Sequence, residues 1–148
     1  PVGALDLEVT ETFLAERPER ALAQLKLLRE WSFKISIDDF GTGYSSLAYL
    51  KKFPISKLKI DRSFVMGLPQ DESDRAIVSA TIAMAHALKL VVVAEGVETV
   101  AQRDYLHSLN CGAYQGYLYA PGLPPEGLTE LAKGQKQDNP FGDAGSAI

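Results

Sequence analysis

Cysteine is almost missing from this sequence. Cys111 is the single one in 148 residues, so no internal disulfide can form. A reducing, cytoplasmic setting fits that usage. Long apolar runs are missing too. The longest strongly apolar stretch is 90–94, far short of the roughly 20 residues that cross a bilayer. No charged-then-apolar leader opens the chain. A basic excess is also absent, with 15 Lys and Arg against 19 Asp and Glu and a formal charge of −4. That balance argues against a nucleic-acid polymer as partner. The chain begins at Pro1-Val2-Gly3 without an initiator Met and reads as a piece of something longer, whose upstream segments could carry a membrane anchor.

What is present suits a globular domain. Hydrophobic residues make up 46% and charged residues 23%, an ordinary balance. One domain is the natural expectation at this length. A complete (β/α)8 barrel takes about 250 residues, so the chain is too short to be one.

Strand-like runs alternate with helical ones. Residues 5–9 alternate apolar and polar, the period of a strand. Residues 18–30 read as a helix, with Pro18 suited to its first position and Leu22, Leu25 and Leu28 at three-residue spacing. A second strand is expected over 33–38 and a short helix over 45–52, closed before Pro54. A third strand follows over 57–60. Residues 74–88 read as a long helix, apolar on most faces through Ile77, Val78, Ile82, Met84 and Leu88, and so packed on two sides. The fourth strand, 90–95, is continuously apolar, as strands buried on both faces are. Residues 99–108 form a helix opened by the capping-box pair Thr99 and Gln102. A fifth strand is expected over 113–119. This order implies a parallel sheet with right-handed crossovers. Residues 1–132 form the domain, and 133–148, rich in Gly, Gln, Asp and Asn, read as a flexible, disordered tail.

Charged groups fall at the ends of successive strands: Glu8, then Asp38-Asp39, then Lys59 and Asp61, then Glu95. Gln115 sits on the fifth strand. In parallel α/β architectures the carboxyl ends of the strands form the ligand site. Converging carboxylates repel unless a cation lies between them, and hard oxygen ligands select Mg²⁺, Mn²⁺ or Ca²⁺. The adjacent acids Asp38 and Asp39 suit bridging of two ions, and Lys59 adds a fixed positive charge for a phosphate or an attacking water. This is an inventory for metal-assisted phosphoester hydrolysis. Bland readings stand beside it. Asp61 reads as a helix cap or solvated loop residue, and Glu11 and Glu98 fit outer loops. Gly41-Thr42-Gly43 lacks the third glycine of a dinucleotide fingerprint, with Ser46 in that place, and reads instead as a tight, mobile loop. Cys111 and His86 read as structural, His107 as a helix-surface residue, and Trp31 and Phe33 as cover for the core where helix meets strand.

Five motifs then occur in order: Leu7-Glu8-Val9-Thr10-Glu11, Asp38-Asp39-Phe40-Gly41-Thr42-Gly43-Tyr44-Ser45-Ser46-Leu47, Leu58-Lys59-Ile60-Asp61, Ala94-Glu95-Gly96-Val97-Glu98-Thr99 and Gln115-Gly116-Tyr117. Together, over about Leu5 to Leu128, they resemble the EAL domain family of bacterial cyclic-di-GMP phosphodiesterases. The resemblance implies a TIM-barrel-like (β/α)8 EAL domain of which this chain is roughly the C-terminal half. It implies a two-ion Mg²⁺ or Mn²⁺ site, inhibited by Ca²⁺, with Glu8, Asp38, Asp39 and Glu95 as metal ligands. Lys59, Glu95 and Gln115 take catalytic roles, and Lys59 and Gln115 also touch substrate. Glu11 anchors the loop carrying Gly41, Thr42 and Gly43, which would link dimer contacts to metal binding.

The implied reaction opens one phosphodiester bond of cyclic-di-GMP by in-line attack of water, giving linear 5′-pGpG. The implied partners are cyclic-di-GMP, a second copy of the domain, and upstream sensor or GGDEF-type domains. The Glu-Ala-Leu stretch, its arginine and the asparagine ligand would lie upstream of Pro1, and Pro121-Gly122 replaces the family's basic residue and proline. The isolated chain is therefore expected to be inactive, and a half-barrel with open edges should aggregate or pair. A catalytically inactive cyclic-di-GMP-binding module, signalling through a protein partner, is the alternative. Another kind of metal-dependent barrel enzyme is a third.

Overall fold

The computed structural model describes residues 5–43 and 47–120, together with 122, 124, 127 and 129. The expected tail over 133–148, and Tyr44, Ser45, Ser46 and Pro121, lie outside the described residues.

Alternating side chains give the first strand, β1 (Asp6–Thr10). Thr10 then caps a short helix, α1 (Glu11–Glu16), by accepting the N–H of Phe13 on its Oγ1. Proline opens α2 (Pro18–Glu30), which buries Ala21 and Leu25. The chain continues through β2 (Lys34–Phe40), α3 (Leu47–Leu50), β3 (Lys57–Ile60), α4 (Arg62–Met66), α5 (Glu72–Ala87), β4 (Val91–Ala94), α6 (Val100–Ser108) and β5 (Ala113–Tyr114). The five strands form one parallel sheet in the order β1-β2-β3-β4-β5. Sequential strands are therefore spatial neighbours, and every strand points its carboxyl end the same way.

The two faces of this sheet differ in chemistry. One face carries Ile35, Ile37, Leu58, Ile60, Val92 and Ala94, all buried. The helices cover it with Leu14, Leu25, Val65, Val78, Ile82, Ala85 and Leu106. Burial of this apolar layer stabilises the fold at roughly 25 cal/mol for each Å² removed from water. The other face takes the alternate positions: Asp6 and Glu8 on β1, Ser36 and Asp38 on β2, Lys57 and Lys59 on β3. A strand period of two sends these side chains away from the helices.

Several expectations change. The helix α5 packs on one side: Val78, Thr81, Ile82 and Ala85 are buried, whereas Ile77 is exposed. Its apolar composition overstated its contacts. β4 is buried on both faces at Val92, Val93 and Ala94, and only its first residue, Val91, is exposed, at 50%. Trp31 does not cover the core. It follows the C-terminus of α2 as its cap and is 65% exposed, while Phe33 is half-buried. His86 lies exposed in the last turn of α5, and His107 is exposed as expected.

The fifth strand is two residues long, not seven. After Gln115 the chain turns at Gly116, where an added Cβ would lie 2.2 Å from the Val97 carbonyl oxygen and 2.3 Å from its nitrogen. That close backbone approach, fixed by Val97 N–H donating to Gln115 O and Leu118 N–H to Val97 O, ends the ladder. The capping box of α6 is present in both directions, with Thr99 Oγ1 accepting the Gln102 N–H and Gln102 Oε1 accepting the Thr99 N–H.

Candidate metal centre

Lys59 stands at the middle of the site. It is the third residue of β3 and points into the polar face, where its side chain is 8% exposed. Its Nζ lies 2.8 Å from Glu8 Oε1, 3.2 Å from Asp38 Oδ1 and 2.7 Å from Glu95 Oε1. Each partner comes from a different element: β1, β2 and the residue after β4. Burial alone would lower the lysine's proton affinity, but hydrogen bonds to Glu8, Glu95 and Asp38 outweigh it, so Lys59 stays charged far above its ordinary range. Glu95 shifts the other way from a free carboxylate. Burial raises its pKa, Lys59 opposes the rise, and the charges of Asp38 and Glu8 add to it. Gln115 Nε2 donates to the same Glu95 Oε1 at 2.7 Å, fixing that carboxyl group from the residue after β5.

The pair Asp38-Asp39 needs a special backbone to act together. Neighbouring residues of a regular strand face opposite sides of the sheet. Here the register of β2 against β3 slips between Ile37 and Phe40, and Asp39 adopts φ 54°. The bulge re-aims Asp39. As a result one carboxylate oxygen from each of Asp38, Asp39 and Glu95 falls within 4.8 Å of the others. The Asp39 pKa is raised by burial, then by the charges of Asp38 and Asp61.

The Asp39 N–H and Lys59 contacts fall on Oδ1 of Asp38, and those of Lys59 and Gln115 on Oε1 of Glu95. Three hard oxygen donors this close match the chemistry of a site for Mg²⁺, Mn²⁺ or Ca²⁺. Glu8, 2.8 Å from the Lys59 ammonium, is not one of that group of three. Its side chain is 51% exposed.

Glu11 leaves the outer-loop reading behind. It is the first residue of α1 and 2% exposed, and its Oε2 accepts the N–H of Gly41 at 2.8 Å and of Gly43 at 3.0 Å. Gly41 has φ 102° and packs against Phe64, so a side chain there would clash. Thr42 Oγ1 donates to Asp39 O at 2.8 Å, which closes the turn directly after the acids.

Asp61 does cap α4, as the bland reading has it, accepting Ser63 N–H at 2.9 Å and the Ser63 hydroxyl. Its charge also reaches Asp39, and the Lys59-x-Asp61 spacing was the signal for that. Arg62 pairs with Glu98 at 2.7 Å and lies over Gly96, where an added Cβ would meet Arg62 Cγ at 2.3 Å. Sequence reasoning gave that crossing no part. Cys111 packs half-buried beside the core, with its thiol 3.3 Å from Ala113 O.

A family model described as the EAL domain matches residues 1–122. The cyclic di-GMP phosphodiesterase NbdA of Pseudomonas aeruginosa is 48% identical over 134 residues, covering 90% of this chain and 17% of that protein. MucR of the same organism, a bifunctional diguanylate cyclase and cyclic di-GMP phosphodiesterase, is 50% identical over 124 residues, covering 84% of this chain and 18% of MucR. The chain thus spans less than a fifth of either relative. The solved PaMucR phosphodiesterase in complex with c-di-GMP superimposes with a TM-score of 0.84 at 49% identity, over 86% of this chain and 51% of that one. A manganese and cy-diGMP complex of Klebsiella pneumoniae BlrP1 gives 0.73 at 36% identity, over 79% of this chain and 30% of that one. A sheet of five parallel strands alternating with helices, part of a (β/α) barrel-like fold, carries these residues, and the chain belongs to the EAL domain family.

Proposed function

We propose that this chain supplies most of the catalytic centre of a cyclic-di-GMP phosphodiesterase, which opens one phosphodiester bond to give linear 5′-pGpG. The observation that carries the reading is the convergence of Glu8, Asp38 and Glu95 on Lys59, with Asp39 turned toward the same point. Asp38, Asp39 and Glu95, joined by Glu8, would hold the two ions, Mg²⁺ or Mn²⁺. Bound there, the ions supply charge neutralisation at phosphorus and a more acidic water. Lys59 Nζ offers a fixed positive charge to a phosphate oxygen or to the attacking water. Glu95, with its raised proton affinity, is suited to take the proton of that water. Gln115 keeps the Glu95 carboxyl in place. Water adds to phosphorus, the sugar oxygen leaves, and the ring opens to a 5′-phosphorylated dinucleotide.

A further part of the site, the Glu-Ala-Leu glutamate and the asparagine ligand, would come from the other half of the barrel. The protein that carries this chain, incubated with cyclic-di-GMP and Mg²⁺ or Mn²⁺, should release pGpG, and chelation should stop it. The 148-residue chain alone should release little. Binding of cyclic-di-GMP without turnover by the complete domain would overturn the hydrolase reading in favour of a binding module. Turnover by the isolated chain near that of the complete domain would overturn the shared site.

A further inference from the structure

The polar face of the sheet has a second tier below the acids. Two residues before Glu8, Asp38 and Lys59 stand Asp6, Ser36 and Lys57, on the same face by strand alternation. Ser36 is fully buried, and its Oγ donates to Asp6 Oδ1 at 2.6 Å. Lys57 Nζ lies 2.6 Å from Asp6 Oδ2. Asp6 thus spends one oxygen on being oriented and the other on holding the lysine. The charges of Asp6 and Lys57 cancel within this lower tier. The upper tier sets Glu8, Asp38, Asp39 and Glu95 against Lys59 alone, so it attracts any further cation within reach. The two tiers are separated by two strand residues, about 6.6 Å. Lysine is a point charge on a flexible four-carbon stem, and can bridge that step. Lys34, another cation on this face, is exposed, and it stands opposite Asp6 in the β1–β2 register, where its charge also acts on Asp6.

We infer that Asp6 is a positioning residue for metal binding: it pins Lys57 in the lower tier and keeps a second ammonium off the carboxylates of Glu8 and Asp38. An ammonium bound there would compete with a divalent ion for the same oxygens. The inference rests on the metal reading above. Neither Asp6 nor Lys57 would touch substrate or metal.

The test is Mn²⁺ binding by titration calorimetry in the full-length protein carrying this chain, for the wild type, Asp6→Asn, Lys57→Met and the double variant. Asp6→Asn should bind Mn²⁺ about 10-fold or more weakly, while Lys57→Met and the double variant should stay within about twofold of the wild type, given the 10–100-fold cost typical of losing a residue that supports metal ligands. Restored affinity in the double variant separates release of Lys57 from general damage to the sheet. Asp6→Asn binding as tightly as the wild type would overturn the inference, and so would a double variant as weak as Asp6→Asn. Should Asp6→Asn fail to fold, Lys57→Met still decides: a loss of about tenfold there would mean the pair itself builds the site. A wild-type protein that binds no Mn²⁺ would instead overturn the metal reading itself.

Discussion

At Lys59 three carboxylates converge on one ammonium that is nearly shut off from water. Removing that ammonium leaves Glu8, Asp38 and Glu95 facing one another with no cation between them, so their like charges repel. Lys59→Met in the complete domain should therefore cut hydrolysis by about 100-fold or more, the range for loss of a preorganised charge. It should also lower the metal-free melting temperature, with Mn²⁺ restoring more of it than in the wild type. Assays of pGpG release and melting curves with and without Mn²⁺ check this, and unchanged turnover would contradict it. Cys111 makes a second residue-scale case. Burial pushes its thiol up to about 11, and the thiolate is the reactive form. Alkylation by iodoacetamide should thus stay slow through the ordinary thiol range and reach half its limiting rate near pH 11. A midpoint near the ordinary value of 9.0 would show the thiol exposed.

Among the elements, the turn directly after β2 is held by one side chain from α1. One buried carboxylate, Glu11, holds two backbone amides of its glycine loop. Hydrogen bonds to charged groups contribute about 1.5–3 kcal/mol each, so Glu11→Ala should cost roughly that much or more in chemical denaturation. The amides of Gly41 and Gly43 should also exchange faster with deuterated solvent. Exchange as slow as in the wild type would mean that other contacts hold the loop.

This scale also separates what was legible in the sequence from what was not. Alternation over 5–9, the continuous apolar run at 90–94 and short apolar stretches between helical ones placed all five strands, the fifth of them drawn too long, and the Thr99–Gln102 pair placed α6 to within one residue. The acids at the strand ends were visible because parallel strands bring their carboxyl ends together. The helices α1 and α4 were not visible, since six- and five-residue turns carry no repeat from which to read a period. The turn of Asp39 toward Asp38 was hidden as well, because a bulge depends on pairing with β3 and not on local composition. The end of β5 depended on Val97, which is eighteen positions before Gln115 and invisible to a local pattern.

On the scale of the molecule, one sheet separates two environments. Helices and an apolar layer lie on one side, and a two-tier polar face on the other. No helix among the described residues is long and apolar enough to cross a membrane. The apolar side fixes the strand register, and the register brings side chains from five strands to one point. The proposed function depends on those strand ends holding divalent metal. Anomalous scattering from Mn²⁺ in crystals of the complete domain tests it most directly. Manganese should appear about 2.0–2.6 Å from carboxylate oxygens of Asp38, Asp39 and Glu95, the range for oxygen ligands of hard divalent ions. Manganese bound elsewhere, with those oxygens lacking any peak, would contradict it.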